Sequence, residues 1–218
     1  MSCERLADEF EVNMNKSETM VLEKEVNREV LKPAMLYHAS PNRDIQKFEP
    51  RTETQRDPLE GPVVFATPSK EIATQFLVPT DDSWARGGVF HVGEVYSPEQ
   101  VYFFAIGDRN RFMSTDHGGA VYELPVESFT TDPEKGLGDL EWVSTQGVQP
   151  IGKLEYESGL EAMVDAGVQV YFLSKEDYQT YCETPGEQKA AFLDAHQSEN
   201  QQRGVNVRSL VDSGGEHE

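Results

Sequence analysis

Leu36-Tyr37-His38-Ala39-Ser40 is a short apolar run in which a histidine and a serine alternate with other side chains, and Pro41 and Asn42 close it as a turn. Alternate residues of a strand share a face, so Leu36, His38 and Ser40 are expected to point one way, with the imidazole and the hydroxyl side by side. A strand-end histidine bonded only to its neighbours would give the same five letters. The flanking sequence has to decide between the two.

Downstream, residues 42–60 carry Arg43, Arg51, Arg56, Pro50 and Pro58 and read as a loop too polar for a core. Gly61-Pro62-Val63-Val64-Phe65-Ala66-Thr67-Pro68 reads as strand, then helix. Thr67 is expected to cap that helix and Pro68 to occupy its first position, with Ile72, Ala73 and Phe76 on the apolar face. Phe65 therefore ends a strand and Phe76 ends the helix that follows. Residues 79–88 read as a flexible, turn-rich loop carrying Trp84 and Arg86. Strands are expected at 89–92, 101–106 and 120–124, each separated by Gly, Pro, Asp or Asn. A second loop, 130–139, delivers the chain to Leu140-Glu141-Trp142-Val143-Ser144, and residues 148–156, 160–166 and 168–173 read as strand, short helix and strand.

The ends differ from this middle. Residues 1–16 are polar, and Ser17 opens a docking helix with Leu22, Val26 and Val30 on one face, ending before Pro33. Beyond 173, Ser174 with Asp177 and Thr184 with Glu187 have capping-box spacing, and Pro185 fits a first helical position. Residues 197–218 are polar and Gly-rich, the composition of a disordered tail. The organisation expected is an N-terminal segment and docking helix at 1–34, one folded domain at 35–173, and C-terminal helices with a tail at 174–218.

Composition narrows the partners. A chain of 218 residues with 37% hydrophobic content can bury one good-sized core. Its net charge is −20; residues 1–34 carry 8 acids and 5 bases and 174–218 carry 9 and 4, so most of the charge lies between them. A folded part that negative repels phosphate backbones, which argues against nucleic acid. Cys3 and Cys182 are too few for a disulfide framework or zinc spacing, as expected in a reducing compartment. Neither a signal-peptide h-region nor an apolar run of about 18 residues is visible. The expectation is a cytoplasmic protein, or one delivered as an effector by a specialised export machine, with no membrane partner and no metal. Walker, Rossmann, His-Glu-x-x-His and Gly-x-Ser-x-Gly patterns are all missing.

A strand bearing His38, a strand-helix unit with an aromatic at each end, and a turn-rich loop leading to a strand that starts with Glu141 come in that order. The set resembles the ADP-ribosyltransferase superfamily, in its diphtheria-toxin and poly(ADP-ribose) polymerase branch, whose signature is His, Tyr and Glu on three separate strands. The resemblance covers roughly residues 35–156. It implies an α+β fold with a split β-sheet core and peripheral helices, and NAD as the substrate from which ADP-ribose passes to a protein or small-molecule acceptor. His38, Ala39 and Ser40 look like the first motif, and Phe65 through Phe76 like the aromatic clamp on nicotinamide. Glu141 looks like the catalytic glutamate, with Asp139 two residues earlier where relatives keep a polar residue touching the acceptor. Two positions depart from the pattern. Phe65 stands where Tyr is usual and loses a hydroxyl, and Ala39 stands where Gly is common and adds a methyl.

The residue types suit the chemistry. Breaking the nicotinamide–ribose bond develops positive charge on the sugar, which a carboxylate stabilises. A histidine can fix a ribose hydroxyl, a serine can hold the carboxamide, and two aromatic faces can clamp the leaving group. Glu123 and Glu127 are rival carboxylates, ranked lower because Glu123 falls mid-strand with no loop ahead of it. Two other readings share the resemblance: the same fold without turnover, as a nucleotide-binding or interaction module, and an RNA 2′-phosphotransferase, which the charge disfavours.

Overall fold

The computed structural model describes residues 31–52, 61–92, 99–132, 134 and 138–211. It is a mixed α+β structure with three small sheets. In the first, β1 (Leu36–Ser40), β5 (Gly119–Leu124) and β8 (Gly152–Tyr156) lie antiparallel in the order β1-β5-β8, with His38 opposite Tyr122. In the second, β2 (Val64–Ala66), β7 (Trp142–Ser144) and β6 (Thr130–Thr131) run in the order β2-β7-β6, with Ala66 opposite Trp142. In the third, β3 (Ala85–Val92) pairs antiparallel with β4 (Glu99–Ile106), and β9 (Gln169–Phe172) joins β4 in parallel.

Sheets one and two meet at one antiparallel bridge, where Tyr37 and Thr67 exchange N–H···O bonds of 2.7 and 3.0 Å. That bridge explains a correction at the next helix. Thr67 has both main-chain groups committed to β1, so it stays extended and cannot cap. Helix α1 starts later, at Lys70–Gln75, with Ser69 as its cap accepting from the Ile72 N–H at 3.1 Å. Phe76 follows as the helix's C-terminal cap residue.

The third sheet carries most of the core. On one face Trp84, Tyr102, Phe104 and Ile106 pack with Phe112 of α2 (Arg109–Thr115) and Leu160 and Met163 of α3 (Gly159–Asp165). On the other, Val101, Phe103 and Tyr171 pack with Tyr178 and Tyr181 of α4 (Lys175–Glu183) and Leu193 of α5 (Lys189–Asp194). A strand covered on both faces reads as a continuous apolar run, which is what residues 101–106 are. Trp84 is buried rather than displayed on a loop, and β3 already begins at Ala85, so the expected loop of 79–88 is shorter than its Gly and Asp content suggests. Helix α2 escapes the sequence reading because Phe112 is its one buried residue, too little for a periodic face.

The tail expectation also fails for residues 198–211. Helix α6 (Glu199–Gln202) is closed by a capping box between Ser198 and Gln201, and Ser198, Glu199 and Asn200 are buried. The Asn200 side chain acts as a missing strand at the edge of β9, accepting from Val170 N–H and donating to the Val168 carbonyl, each at 3.0 Å. Glu199 takes Arg109 at 3.3 Å and Arg203 at 3.0 Å, and Leu210 sits in the core beside Tyr171. The segment is polar because it pairs polar edges, not because it lacks a place in the fold. Residues from Pro33 onward form one unit, C-terminal helices included. The docking helix expected over Leu22, Val26 and Val30 lies outside the described residues. Among the described residues no helix is long and apolar enough to cross a membrane.

Asn200→Ala leaves a buried N–H and a buried C=O unpaired, an expected loss of about 1–3 kcal/mol. At about 2–4 °C per kcal/mol for a chain of this size, the melting temperature should fall by several degrees. Removing residues 198–218 should lower it further. An unchanged melting temperature in the truncated protein would return this segment to the disordered reading.

Candidate functional site

Strand alternation puts Tyr37 and Ala39 on the face toward α1. The Ala39 methyl packs with Ala73, Leu77, Val121 and Ala162, so the residue that departs from the family's glycine is accommodated against helix α1. His38 lies on the opposite face, half-buried. Its Nδ1 is 2.7 Å from the Phe65 carbonyl oxygen. A carbonyl only accepts, so Nδ1 carries a proton, and a neutral ring then leaves Nε2 as an acceptor. Burial lowers the His38 pKa below its ordinary value; the Phe65 carbonyl opposes that shift and the Arg51 cation adds to it. Ser40 ends the strand with its Oγ accepting from the Asn42 N–H at 3.2 Å.

These residues open onto a cleft of about 590 Å³, within the range of ligand pockets. His38, Ala39, Ser40, Phe65, Phe76 and Glu141 all line it. They come from β1, from β2 and the end of α1, and from the residue just ahead of β7. Phe76 is 63% exposed, an aromatic ring at the lip of the cleft and outside the core. Glu141 is half-buried; its N–H donates to the Gly138 carbonyl at 2.9 Å, and the Thr131 hydroxyl donates to its carbonyl at 2.8 Å. The carboxylate-bearing residue is thus fixed by its main chain at the mouth of a strand.

Asp139 does not join them. It is exposed on the 3₁₀ turn Gly138–Leu140, with its carbonyl accepting from the Trp142 indole at 3.0 Å, and it is not part of the cleft wall. Glu123 and Glu127 are also outside it. Glu123 instead leans over Gly152, where an added Cβ would meet its carboxylate oxygen at 2.4 Å.

One wall was not legible as such. Ile45, Lys47, Phe48, Glu49 and Arg51 line the cleft from the segment read as a polar loop. The segment 42–51 is a strap tied at several points. Tyr122 Oη donates to the Asn42 carbonyl at 2.7 Å and accepts from Ile45 N–H at 3.1 Å. Arg43 donates to the Tyr156 carbonyl at 2.8 Å, Phe48 exchanges two 2.8 Å bonds with Val148, and Arg51 bridges to Val63. The available signal was a pair of apolar residues, Ile45 and Phe48, inside an otherwise polar stretch. Among the described residues no group of three or more His, Cys, Asp or Glu could hold a metal ion.

Comparison with family models, curated proteins and solved structures gives no match to the chain.

His38 sets a pH dependence whose sign is fixed. Its folded pKa is below the ordinary 6.5, so under pH 6.5 the unfolded chain binds this proton first. Its contribution to stability is complete above 6.5 and is lost as pH falls toward the folded pKa. Denaturant midpoints at about pH 7.5 and about pH 5.5 should therefore differ more in the parent than in His38→Gln. Equal differences would show that the imidazole is not held neutral.

Proposed function

We propose that this protein is an NAD-dependent mono-ADP-ribosyltransferase that moves ADP-ribose from NAD to a protein or small-molecule acceptor and releases nicotinamide. The observation that carries the reading is convergence. Three stretches separated by tens of residues, picked out for their resemblance to one family's three motifs, supply His38, Ala39, Ser40, Phe65, Phe76 and Glu141 to one cleft. The junction of sheets one and two at a single bridge supports the split-sheet core expected of that family.

The chemistry follows from these groups. The bond from nicotinamide to ribose breaks with its electron pair leaving on nicotinamide, and the sugar becomes oxocarbenium-like. The acceptor's nucleophile then bonds to the same carbon and gives up its proton. Glu141 provides the negative charge that this cationic state requires. The acceptor nitrogen of His38 suits a ribose hydroxyl, Ser40 a carboxamide, and Phe65 and Phe76 the faces of a planar leaving group. Lys47 and Arg51 offset Glu49 and Glu141 in the cleft lining, so a dinucleotide's phosphates meet a balanced wall although the whole chain is strongly acidic. Asp139, exposed and off the cleft wall, remains a candidate only for contact with the acceptor.

A second reading, a module of the same fold that binds nucleotide without turnover, is favoured by Phe65 in place of a tyrosine. Nicotinamide release from NAD by the purified chain separates the two. Glu141→Gln is expected to keep NAD binding and melting temperature but lose about 10²–10³ in rate. Glu123→Gln and Glu127→Gln should keep the parental rate. A Glu141→Gln protein releasing nicotinamide as fast as the parent sinks the catalytic assignment.

The aromatic clamp gives an independent check. Phe76→Ala should move stability by no more than about 0.5 kcal/mol, as for an exposed position, yet weaken NAD binding by about 0.5–1.5 kcal/mol beyond the lost area. Phe65→Tyr should preserve or raise turnover. Unfolding of Phe76→Ala with NAD affinity intact in the folded fraction would make it a packing residue instead.

A further inference from the structure

Phe48 enters the cleft from the strap. Its ring lies 4.5 Å from the His38 imidazole at an angle of 54°, and it meets Tyr122 edge-on at 5.1 Å and 83°. Tyr122 stands opposite His38 in the β1–β5 register, so the three rings form one packed unit. The main chain of Phe48 is held too, through its two bonds to Val148. Beside it the paired Lys47 and Glu49 side chains lie over Gly147, where an added Cβ would come to 2.6 Å from Lys47 Cε and 2.5 Å from Glu49 Oε2. The Phe48 ring itself is buried.

This packing connects two distant parts of the cleft. Val148 lies just beyond β7, the strand that Glu141 precedes, and His38 lies on β1. Phe48 touches both: its main chain bonds to the one and its side chain rests on the other. Phe48 is therefore a second link between the imidazole and the strand behind Glu141, beside the one through the Phe65 carbonyl and the β2–β7 pairing.

We infer that Phe48 is a positioning residue of the cleft, whose ring clamps the His38 imidazole against the Phe65 carbonyl so that Nδ1 keeps its proton and Nε2 stays an acceptor. An apolar ring on the imidazole excludes water and penalises the charged form. It also hinders the ring flip that would exchange the two nitrogens. The charged groups around the imidazole are Arg51, Lys47 and Glu49 on the strap and Glu141 ahead of β7, with Lys153 on β8 turned to the Arg43 carbonyl; the Tyr37 and Tyr122 side chains complete the titratable groups on β1 and β5. Arg51 disfavours an imidazolium; Lys47 and Glu49 are spent on each other at 2.6 Å. Removing the Phe48 ring lets water reach His38 and moves its pKa up toward 6.5. Only the effect on turnover rests on the proposed function.

The test is ¹⁵N NMR of the five histidine side chains in the full chain, with His38→Gln used to assign the signal. In the parent, His38 is expected to show a protonated Nδ1 and to titrate below 6.5. In Phe48→Ala the midpoint should rise toward 6.5 and the two tautomers should mix, while Phe48→Leu, which keeps the site dry, should retain most of the parental behaviour. The acid limb of nicotinamide release should move up in pH in Phe48→Ala and be restored in Phe48→Leu. Unchanged tautomer and midpoint in a folded Phe48→Ala overturns the inference. If Phe48→Ala does not fold, Phe48→Val is read in its place, and the same unchanged signals overturn it. The NMR needs no NAD, so a parent that releases no nicotinamide counts against the proposed function and leaves the tautomer result standing.

Discussion

The hydrogen bond from His38 Nδ1 to the Phe65 carbonyl, 2.7 Å long, is the contact on which the cleft depends. Main-chain pairing between β1 and β2 consists of one bridge, Tyr37 with Thr67. In an antiparallel ladder alternate residues turn their N–H and C=O to the same edge, so the Phe65 carbonyl, two residues before Thr67, also faces β1. A further rung there would have closed the two strands together and left no space. A side chain takes the carbonyl instead, and the gap stays as wide as an imidazole. The same bond chooses the tautomer, so the device that holds the strands apart also decides what the cleft offers a ligand.

Around that contact the protein separates strong charge from the site. The chain carries −20, but the cleft wall holds two cations, two carboxylates and a histidine whose pKa is lowered by burial. A neutral imidazole there avoids a third positive charge beside Arg51 and avoids the cost of ionising a desolvated group. The aromatic residues divide by role. Phe48 is buried and Phe76 exposed, although both are phenylalanines lining one cleft. The first is locked by main-chain bonds and by two ring contacts. The second caps the C-terminus of a six-residue helix and is exposed at the lip of the cleft.

Six residues of the cleft wall could be picked out before the fold was known, because they sit at points where local rules are strong. His38 alternates within a five-residue strand, Phe65 lies in a β-branched run, and Glu141 comes between a Gly-rich loop and an apolar strand. The strap was read as a loop, and its part in the wall was missed. Ile45 and Phe48 are placed by bonds to Tyr122 and Val148, 77 and 100 residues away along the chain, and no local pattern encodes partners at that distance. At Asp139 it is the expected strand setting that differs. Two-residue spacing puts it on the face of Glu141 only in a strand, and the chain there is a 3₁₀ turn.

By itself the sequence determined most of the strand segments and the helix start at Ser174, whose hydroxyl accepts from the Asp177 N–H. These follow from side-chain periodicity and local capping, which act over a few residues. Tertiary structure alone decided that Thr67 belongs to a bridge and Ser69 to the cap, since the Thr67 carbonyl accepts from the Tyr37 N–H and it is the Ser69 carbonyl that accepts the first helical bond, from Ala73. It decided that Ser198, Glu199 and Asn200 are structural, because Asn200 is useful only where the edge of β9 presents an unpaired N–H and C=O. It also decided that six residues from three stretches share one cleft. Hydrogen-bond satisfaction is a property of the whole fold, and each group's partner becomes known only when the distant chain arrives.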